Sequence, residues 1–371
     1  MIAQWQIDQF HQQGFLVVEE VLSSADIAAL QSDFDGWVEE SRRHATAWGE
    51  TLDGRPRFDI ERDHAPDHPS LRRVASPTEI SEAYRHTALN SRMATIAAQL
   101  IGGSGTRFHH SKINSKLPHT ATEVKWHQDF IFTPHSNDDI ITALLMVSEV
   151  TPENGPLNVV PGSHQGPLWS HWQEGRFTGA VDDEVVTAHC QQPQACFGPA
   201  GSVCFMHTRL LHASSSNETA LPRTLFISVY AAEDALPFGE NPLPSRHAGQ
   251  LVAGEESGLV RSTNNQLRLP QKPRGASFFV QQAGADRAAQ CDQLNMTILQ
   301  RLAQRRRNRH IVGFARFLRN GCVAHECFLF LGASAIFGKF GKSLAILAML
   351  RSAVVVGDAP MVFGMARLPR L

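Results

Sequence analysis

The length, composition and charge of the chain are those of an ordinary globular protein. Its 371 residues, 42% hydrophobic and 19% charged, are enough to bury a sizeable core, and this is not the composition of a disordered chain. The 34 lysines and arginines nearly balance the 36 aspartates and glutamates. The resulting formal net charge of -2 gives no basic field that would predict nucleic acid as a partner.

The cysteines and the opening residues together predict a cytoplasmic protein. The six cysteines form no C-x-x-C pair, and the stretch MIAQWQIDQFHQQGF has no basic region followed by an apolar one, as a secretory signal would. Both features favour a reducing compartment in which the thiols stay unpaired and mostly buried.

The N-terminal part predicts a strand, two helices and a long polar connection. Residues 14–18 are strand-like, and Ser23 with Asp26 forms a capping box that predicts the start of a helix. Residues 44–78 are rich in charge, proline and histidine, which favours a surface segment with little regular structure. A second helix is predicted over about 81–100, closed by two glycines. The apolar stripe of the first helix is assigned to the core rather than to a binding site: Ile27, Leu30, Phe34, Trp37 and Val38.

The chain from residue 107 onward predicts an antiparallel β structure. Short β-branched and aliphatic runs alternate with turns rich in glycine, proline and asparagine, with no helices between them. This pattern favours a sandwich or jelly roll over a doubly wound parallel sheet, and the chain has no dinucleotide or phosphate loop motif. The predicted fold class is mostly β with flanking helices, and the predicted strands include 140–147, 157–160, 203–206 and 225–230.

A short motif in this β region carries the candidate chemistry. His127 and Asp129 are separated by one residue, so in a strand their side chains project to the same face. The best third ligand is His212, 85 residues downstream. Two imidazoles and one carboxylate on one face of a metal leave open positions, which an Fe(II) oxygenase needs for its co-substrate and dioxygen.

The sequence around His212 strengthens a motif that is weak by itself. Arg223 follows His212 by 11 residues, where its guanidinium can bind a dicarboxylate through paired hydrogen bonds. A surface ion pair is the plainer alternative for this arginine. His207 lacks this spacing and is interpreted as a strand neighbour. His164 is interpreted as a turn residue, a support for the ligands or a substrate contact.

These motifs resemble those of the phytanoyl-CoA dioxygenase-like family of Fe(II)- and 2-oxoglutarate-dependent oxygenases. The resemblance covers roughly residues 5–285 and implies a double-stranded β-helix (jelly-roll) core with iron bound by His127, Asp129 and His212. It also implies that a small organic substrate is hydroxylated with 2-oxoglutarate and O2, releasing succinate and CO2, with ascorbate as an aid. The segments that match, in the order of the family, are 126–130, 154–164 and 211–217.

The same resemblance implies roles for four further side chains. Arg223 and Ser214 fall on positions that bind the far carboxylate of 2-oxoglutarate. Lys112 lies near a family position on the strand beside the co-substrate, and Gln128 falls between two ligands, where it would orient the site. Because Asp129 is present, halogenation is disfavoured, since related halogenases lack this carboxylate to make room for chloride.

Composition and resemblance divide the chain into four predicted parts. An N-terminal helical and extended segment (1–104) packs on a jelly-roll catalytic core (105–236), and a C-terminal extension of the core (237–285) follows. The tail (286–371) is basic and apolar but has no window of about 18 clean apolar residues, so no transmembrane span is predicted. The sequence is compatible with two alternatives for this tail: poor order, or contact with a membrane surface or a partner.

Two other functions fit part of the pattern. A cupin-like metal-dependent isomerase or hydrolase would share the barrel and the histidines but would not need Arg223 at its spacing. A non-catalytic protein that senses 2-oxoglutarate or iron would keep the fold and the ligands. The polar segments 44–78 and 233–275, which we expect to shape the pocket, favour a small polar substrate.

Overall fold

The helices are few and lie mostly in the N-terminal part of the chain. A computed structural model describes residues 1–118 and 123–263, so the predicted tail 286–371 and the end of the predicted extension 237–285 lie outside the described residues. No helix in the described ranges is long and apolar enough to cross a membrane. The α-helices found there are α1 (Gln4–Gln13), α2 (Ser24–Ser41), α3 (Glu82–Asn90), α4 (Arg92–Ile101) and α5 (Asp183–His189).

Strands make up most of the regular structure, which confirms a mostly β fold with flanking helices. Every strand pair in the described ranges is antiparallel. The strands are β1 (Phe15–Val18), β2 (Phe58–Ile60), β3 (Leu71–Ala75), β4 (Gly105–Lys116), β5 (Val124–His127), β6 (Ile140–Met146), β7 (Leu157–Val159), β8 (Trp172–Gln173), β9 (Arg176–Phe177), β10 (Gln194–Cys196), β11 (Val203–His207), β12 (His212–Ser214), β13 (Arg223–Ala232) and β14 (Leu251–Gly254).

Two of the sheets face each other across an apolar layer. The large sheet has the order β1-β11-β6-β13-β4-β3-β2, with β14 also paired to β4, and the small sheet has the order β10-β7-β12-β5. Leu157 and Val159 of the small sheet pack against Leu144, Met146 and Ile227 of the large one. Removing this apolar surface from water holds the sheets together. The strands β8 and β9 form a separate pair.

The helices cover the opposite face of the large sheet. Alternate residues of its strands point away from the small sheet, and Phe226 of β13 packs in the same core cluster as Leu30 of α2 and Ile96 of α4. Tyr230, also on β13, donates a hydrogen bond of 2.7 Å to the carbonyl of Ala88 in α3. The large sheet therefore has one face toward the helices and one toward the small sheet.

The helix start predicted at Ser23 is confirmed, and the single helix predicted over 81–100 is wrong. Ser23 Oγ accepts a hydrogen bond from the Asp26 N–H at 3.2 Å. Residues 82–101 form two helices because Ser91 is extended and its hydroxyl accepts the Met93 N–H, so that Ser91 ends α3 and caps α4.

The long polar segment is only partly irregular, and the expectation of no helices among the strands is wrong. The segment 44–78 contains β2 and β3, which extend the large sheet beyond β4. The charged residues of this segment are not all on the surface. Arg57 is only 7% exposed, and its guanidinium donates to the backbone carbonyls of Ala75 and Ser76. The β region also contains a helix, α5, that the spacing of the strands did not predict.

Candidate active site

Three side chains of the kinds that bind metals come together at the ends of β5 and β12. These strands are antiparallel neighbours, and His212 at the start of β12 lies directly opposite His127 at the end of β5. Gln128 keeps an extended backbone after β5 ends, and Asp129 is the first residue of a 3-10 turn. The alternation expected for a strand therefore still turns Asp129 toward His127.

The spacing of these three side chains fits a single metal ion. Asp129 Oδ1 lies 3.4 Å from His127 Nε2 and 3.6 Å from His212 Nε2. One ligand atom from each residue lies within 4.8 Å of the other two. Nitrogen and oxygen atoms that each bind a metal at about 2 Å are separated by about 3 Å, so small adjustments would bring all three onto one ion.

Backbone carbonyls fix the orientation of both histidines. His127 Nδ1 donates to the carbonyl of Lys125 at 2.7 Å, and His212 Nδ1 donates to the carbonyl of Leu210 at 2.9 Å. Because a carbonyl can only accept, each ring must carry a proton on Nδ1. In the neutral ring, Nε2 then presents its lone pair to the site, as a metal ligand requires.

Thr142 holds the carboxylate, although the sequence analysis did not single it out. Its Oγ1 donates to Asp129 Oδ2 at 2.8 Å, which leaves Oδ1 facing the two histidines. Thr142 is buried in β6 of the large sheet, whereas His127 and His212 belong to the small sheet. The contact depends on how the two sheets pack, so no local pattern in the sequence marks it.

The charges of the cluster suit a divalent cation. Burial opposes ionisation of Asp129, but His212, His127 and the more distant Lys112 together hold its pKa below the usual range. Burial lowers the pKa of His212 to about 4. At neutral pH the carboxylate is therefore ionised and His212 is neutral, which are the forms that bind metal. Two imidazoles and one carboxylate with open positions form a donor set that fits Fe(II).

A pair of buried cations lies where β13 begins. Arg223 of β13 and Lys116 of β4 are opposite each other in the large sheet. Nε and Nη2 of Arg223 donate to the carbonyl of Gly155 at 3.1 and 2.8 Å. Burial lowers the pKa of Arg223 to about 10, so it stays charged at neutral pH. The Lys116 ammonium donates to the carbonyls of Ser214 and Ser215, which ties this pair to the small sheet next to the metal cluster.

Lys116, which was not among the predicted site residues, lies on the same strand as the predicted Lys112. The two lysines are four residues apart on β4, so both project to the face that carries Arg223. Burial, together with the charge of Arg223, lowers the pKa of Lys116 to about 7. Burial also lowers the pKa of Lys112, while Asp129 opposes that shift. The alternation of a strand, counted from Lys112, is the signal that would have found Lys116.

Gln128 supports the cluster through backbone contacts. Its Nε2 donates to the carbonyls of Pro167 and Arg209 at 3.1 and 2.7 Å, and its Oε1 accepts the Trp169 N–H at 2.9 Å. Its own N–H donates to His171 Nε2 at 3.0 Å. Both amide protons are used, so the geometry favours the orienting role over direct contact with a co-substrate.

His164 and His207 lie away from the three clustered ligands. Their ring centroids are 5.2 Å apart, and His164 Nε2 lies 3.1 Å from the carbonyl of His11 in α1. The His207 N–H donates to the carbonyl of Gly14 at 2.8 Å. Both histidines therefore join the N-terminal helix to β11 and lie outside the metal-binding group.

Three further histidines form a buried group beside the inner face of β4. His109 Nδ1 and His110 Nδ1 are 2.6 Å apart, and the rings of His109 and His135 are 4.9 Å apart. Burial lowers the pKa of His110 to about 3 and that of His135 to about 4. These two residues are therefore neutral at neutral pH. No local pattern predicts this grouping, because His135 is distant from the other two along the chain.

Comparison with known proteins identifies the family. A sequence model described as phytanoyl-CoA dioxygenase matches residues 10–225, which is more than half of the chain. The chain belongs to the phytanoyl-CoA dioxygenase family of Fe(II)- and 2-oxoglutarate-dependent oxygenases. The resemblance stated from the three sequence segments is thereby confirmed.

Relatives of this family member are similar over most of their length. The chain is 28% identical over 268 residues to a probable alpha-ketoglutarate-dependent hypophosphite dioxygenase of Stutzerimonas stutzeri, a match that covers 71% of this chain and 90% of the relative. It is 25% identical over 242 residues to the L-proline trans-4-hydroxylase of Streptomyces griseoviridis, covering 60% of this chain and 84% of the relative.

One solved structure shares the fold of this chain. The crystal structure of EctD from S. alaskensis in its apoform has a TM-score of 0.50 and 24% sequence identity to this chain. The match covers 73% of this chain and 88% of the EctD chain. At this level of identity the likeness concerns the fold alone.

Replacement of Thr142 by valine should weaken metal binding. The substitution keeps the shape of the side chain but removes the hydrogen bond to Asp129 Oδ2, so the carboxylate loses its fixed orientation. Loss of such a support costs about 10–100-fold in metal affinity. Titration of the apo-protein with Fe(II) measures the change, and Thr224→Val, which lies on the other face of the large sheet, is the matched control. Equal affinities for wild type and Thr142→Val would contradict this role.

The stability of the apo-protein should fall as the pH falls from about 6.5 to about 4. In this window His110 and His135 bind protons in the unfolded chain but not in the fold, because burial depresses their pKa values to about 3 and about 4. Each group contributes up to about 1.4 kcal/mol per pH unit to the slope. The double variant His110→Gln/His135→Gln should therefore show a flatter dependence in denaturant titrations. Parallel curves for the two proteins would rule this out.

Proposed function

We propose that this protein is a non-haem Fe(II)- and 2-oxoglutarate-dependent dioxygenase that hydroxylates a small organic substrate and releases succinate and CO2. The observation that carries the proposal is the cluster of His127, Asp129 and His212, with Nε2–Oδ1 distances of 3.4 and 3.6 Å. These residues would hold iron and leave coordination positions for the co-substrate and O2. Iron, when bound with these partners, supplies the oxidant, and the protein supplies orientation and a dry site.

The far carboxylate of 2-oxoglutarate is assigned to Arg223. Gly155 accepts from Nε and Nη2 and so fixes the guanidinium, while Nη1 has no protein acceptor in the described part of the chain. A buried cation held only by a carbonyl is stabilised further by an anion. Ser214 is also buried, and its carbonyl accepts a hydrogen bond from Lys116, the neighbour of Arg223. Lys116 therefore joins Arg223 and Ser214 in the proposed co-substrate site.

Lys112 is proposed to lie on the strand beside the co-substrate, near the metal. Its ammonium is close enough to Asp129 and His212 to lower the pKa of both. It projects from β4 on the same face as Lys116 and opposite Ile227 of β13. A positive charge in that position attracts the carboxylate groups of 2-oxoglutarate to the metal site.

The arrangement of the strands supports a double-stranded β-helix as the catalytic core. Two antiparallel sheets face each other, and the metal cluster lies in the small sheet with Thr142 reaching it from the large one. The division of the chain at residues 104, 236 and 285 stays a prediction, as does a cytoplasmic location.

The relatives support a small substrate. Their names specify hypophosphite and L-proline, both of which are small molecules. The cupin-like alternative gives no role to the buried Arg223 and Lys116, whereas a sensor would bind iron and 2-oxoglutarate without turnover. Consumption of 2-oxoglutarate under O2 distinguishes a hydroxylase from both alternatives.

Asp129→Ala should abolish hydroxylation, because the only anionic ligand is lost. The first assay is anaerobic titration of apo-protein with Fe(II) and then 2-oxoglutarate, in which the wild type should develop a weak visible charge-transfer band. The second is consumption of 2-oxoglutarate under O2, in which turnover by Asp129→Ala should fall by at least about 100-fold.

His212→Ala should lose the band, and Asp67→Ala, on the surface, is the control. Substantial turnover by iron-loaded Asp129→Ala would contradict the ligand assignment, and a band without turnover in wild type would favour the sensor.

Arg223→Ala should raise the 2-oxoglutarate requirement while Fe(II) affinity stays unchanged. Hydrogen bonds to a charged group contribute about 1.5–3 kcal/mol, so the apparent affinity for 2-oxoglutarate should fall by about 10–100-fold. Arg85→Ala is the matched control, since Arg85 is a surface residue paired with Glu82. An unchanged apparent affinity in Arg223→Ala would remove this residue from the site.

A further inference from the structure

A cationic cavity lies on the part of the large sheet formed by β2 and β3. Its volume is about 280 Å³, which suits a small molecule rather than a long chain. None of its lining residues belongs to the metal cluster or to the proposed co-substrate site. The residues that line it include Thr51, Arg55, Arg57, Asp59, Arg73 and Leu243.

The charges in this cavity are predominantly positive. Arg57 donates to three backbone carbonyls, which satisfy its hydrogen bonds but leave its charge. Arg73 is partly buried, and no hydrogen bond or ion pair to its guanidinium is found among the described residues. Its cross-strand neighbour on β2 is Asp59, whose charge also acts on it. The carboxylate among the lining residues, Asp59, is already paired with Arg72. Arg55 lies at the rim and is paired with Asp53.

The cavity and the metal cluster share one face of the large sheet. Arg73 and Ala75 of β3 lie opposite Asn114 and Lys112 of β4, so these side chains project together. The intervening Val74 belongs to the core cluster on the helix side, which confirms that Arg73 and Ala75 point the other way.

Lys112 connects the cavity to the metal cluster. Lys112 lies opposite Ala75, which lines the cavity, and projects from the same face of β4 as Lys116 of the proposed co-substrate site. A molecule bound at Arg73 would extend toward Lys112 and the metal.

We propose that this cavity binds the substrate through a negatively charged oxygen group, a carboxylate or a phosphorus oxyanion, held by the guanidinium of Arg73. The planar guanidinium matches the two oxygens of such a group and can bind them with paired hydrogen bonds. Asp59, the carboxylate opposite Arg73, is shared with Arg72, so the partly buried Arg73 guanidinium is stabilised further when an anion binds. The proposal rests on the proposed dioxygenase function, with 2-oxoglutarate occupying Arg223 and leaving Arg73 for the substrate.

The test uses acetate and methylphosphonate as probes, one for each source of the oxyanion. Each is titrated calorimetrically into the anaerobic Fe(II) protein saturated with 2-oxoglutarate, at constant ionic strength. Arg73→Gln should bind the better probe at least about tenfold more weakly than wild type. Arg73→Lys, which keeps the charge but not the planar fork, should fall between them. Arg85→Gln removes the same charge from the surface and should bind like wild type.

The charge-transfer band with 2-oxoglutarate separates this inference from the proposed function. Arg73→Gln should keep the band, because Arg223 and the metal ligands are intact. Failure of wild type to bind either probe, or equal binding by wild type and Arg73→Gln, would overturn the substrate class while leaving the dioxygenase proposal in place. Absence of the band in wild type would instead reject the dioxygenase proposal itself.

Discussion

The pairing of β12 with β5 is the constraint on which the metal-binding geometry depends, because it places His212 opposite His127. On its other side β12 pairs with β7, whose Leu157 and Val159 are anchored in the apolar layer between the sheets. A slip of one residue in this register would turn His212 to the opposite face of the small sheet. Burial of apolar side chains far from the ligands therefore determines the distance between two nitrogen atoms in the site.

Three buried cations in the described part of the chain are held by carbonyl oxygens in place of carboxylates. Arg223 donates to Gly155, Lys116 to Ser214 and Ser215, and Arg57 to three other carbonyls, including that of Ala75. Carbonyls satisfy the donors without cancelling the charge, so each guanidinium or ammonium still attracts an anion. Asp129 is the opposite case, since its carboxylate faces two histidines and accepts a hydrogen bond from the Thr142 hydroxyl.

The sequence was most informative where function depends on local spacing. The spacing of His127 and Asp129, and the match of three segments to one family, identified the residues that the fold brings together. Thr142 could not be found in this way, since its contact depends on the packing of two sheets. Strand alternation places Lys116 on the face of Lys112, but its pairing with Arg223 depends on a cross-strand register. The interpretation of segment 44–78 failed for a related reason. Some of the charged residues that favoured a surface loop line a cavity instead.

Gly155, whose carbonyl orients Arg223, lies in the connection before β7, where loops ordinarily accept many replacements. Its backbone has φ +84°, and a Cβ there would meet the Ser215 carbonyl oxygen at 2.8 Å and Lys116 Cδ at 2.9 Å. Any side chain would strain the turn and crowd the cations that it supports. Gly155 should therefore accept replacement as poorly as a residue in the interior of the protein, although it lies in a loop.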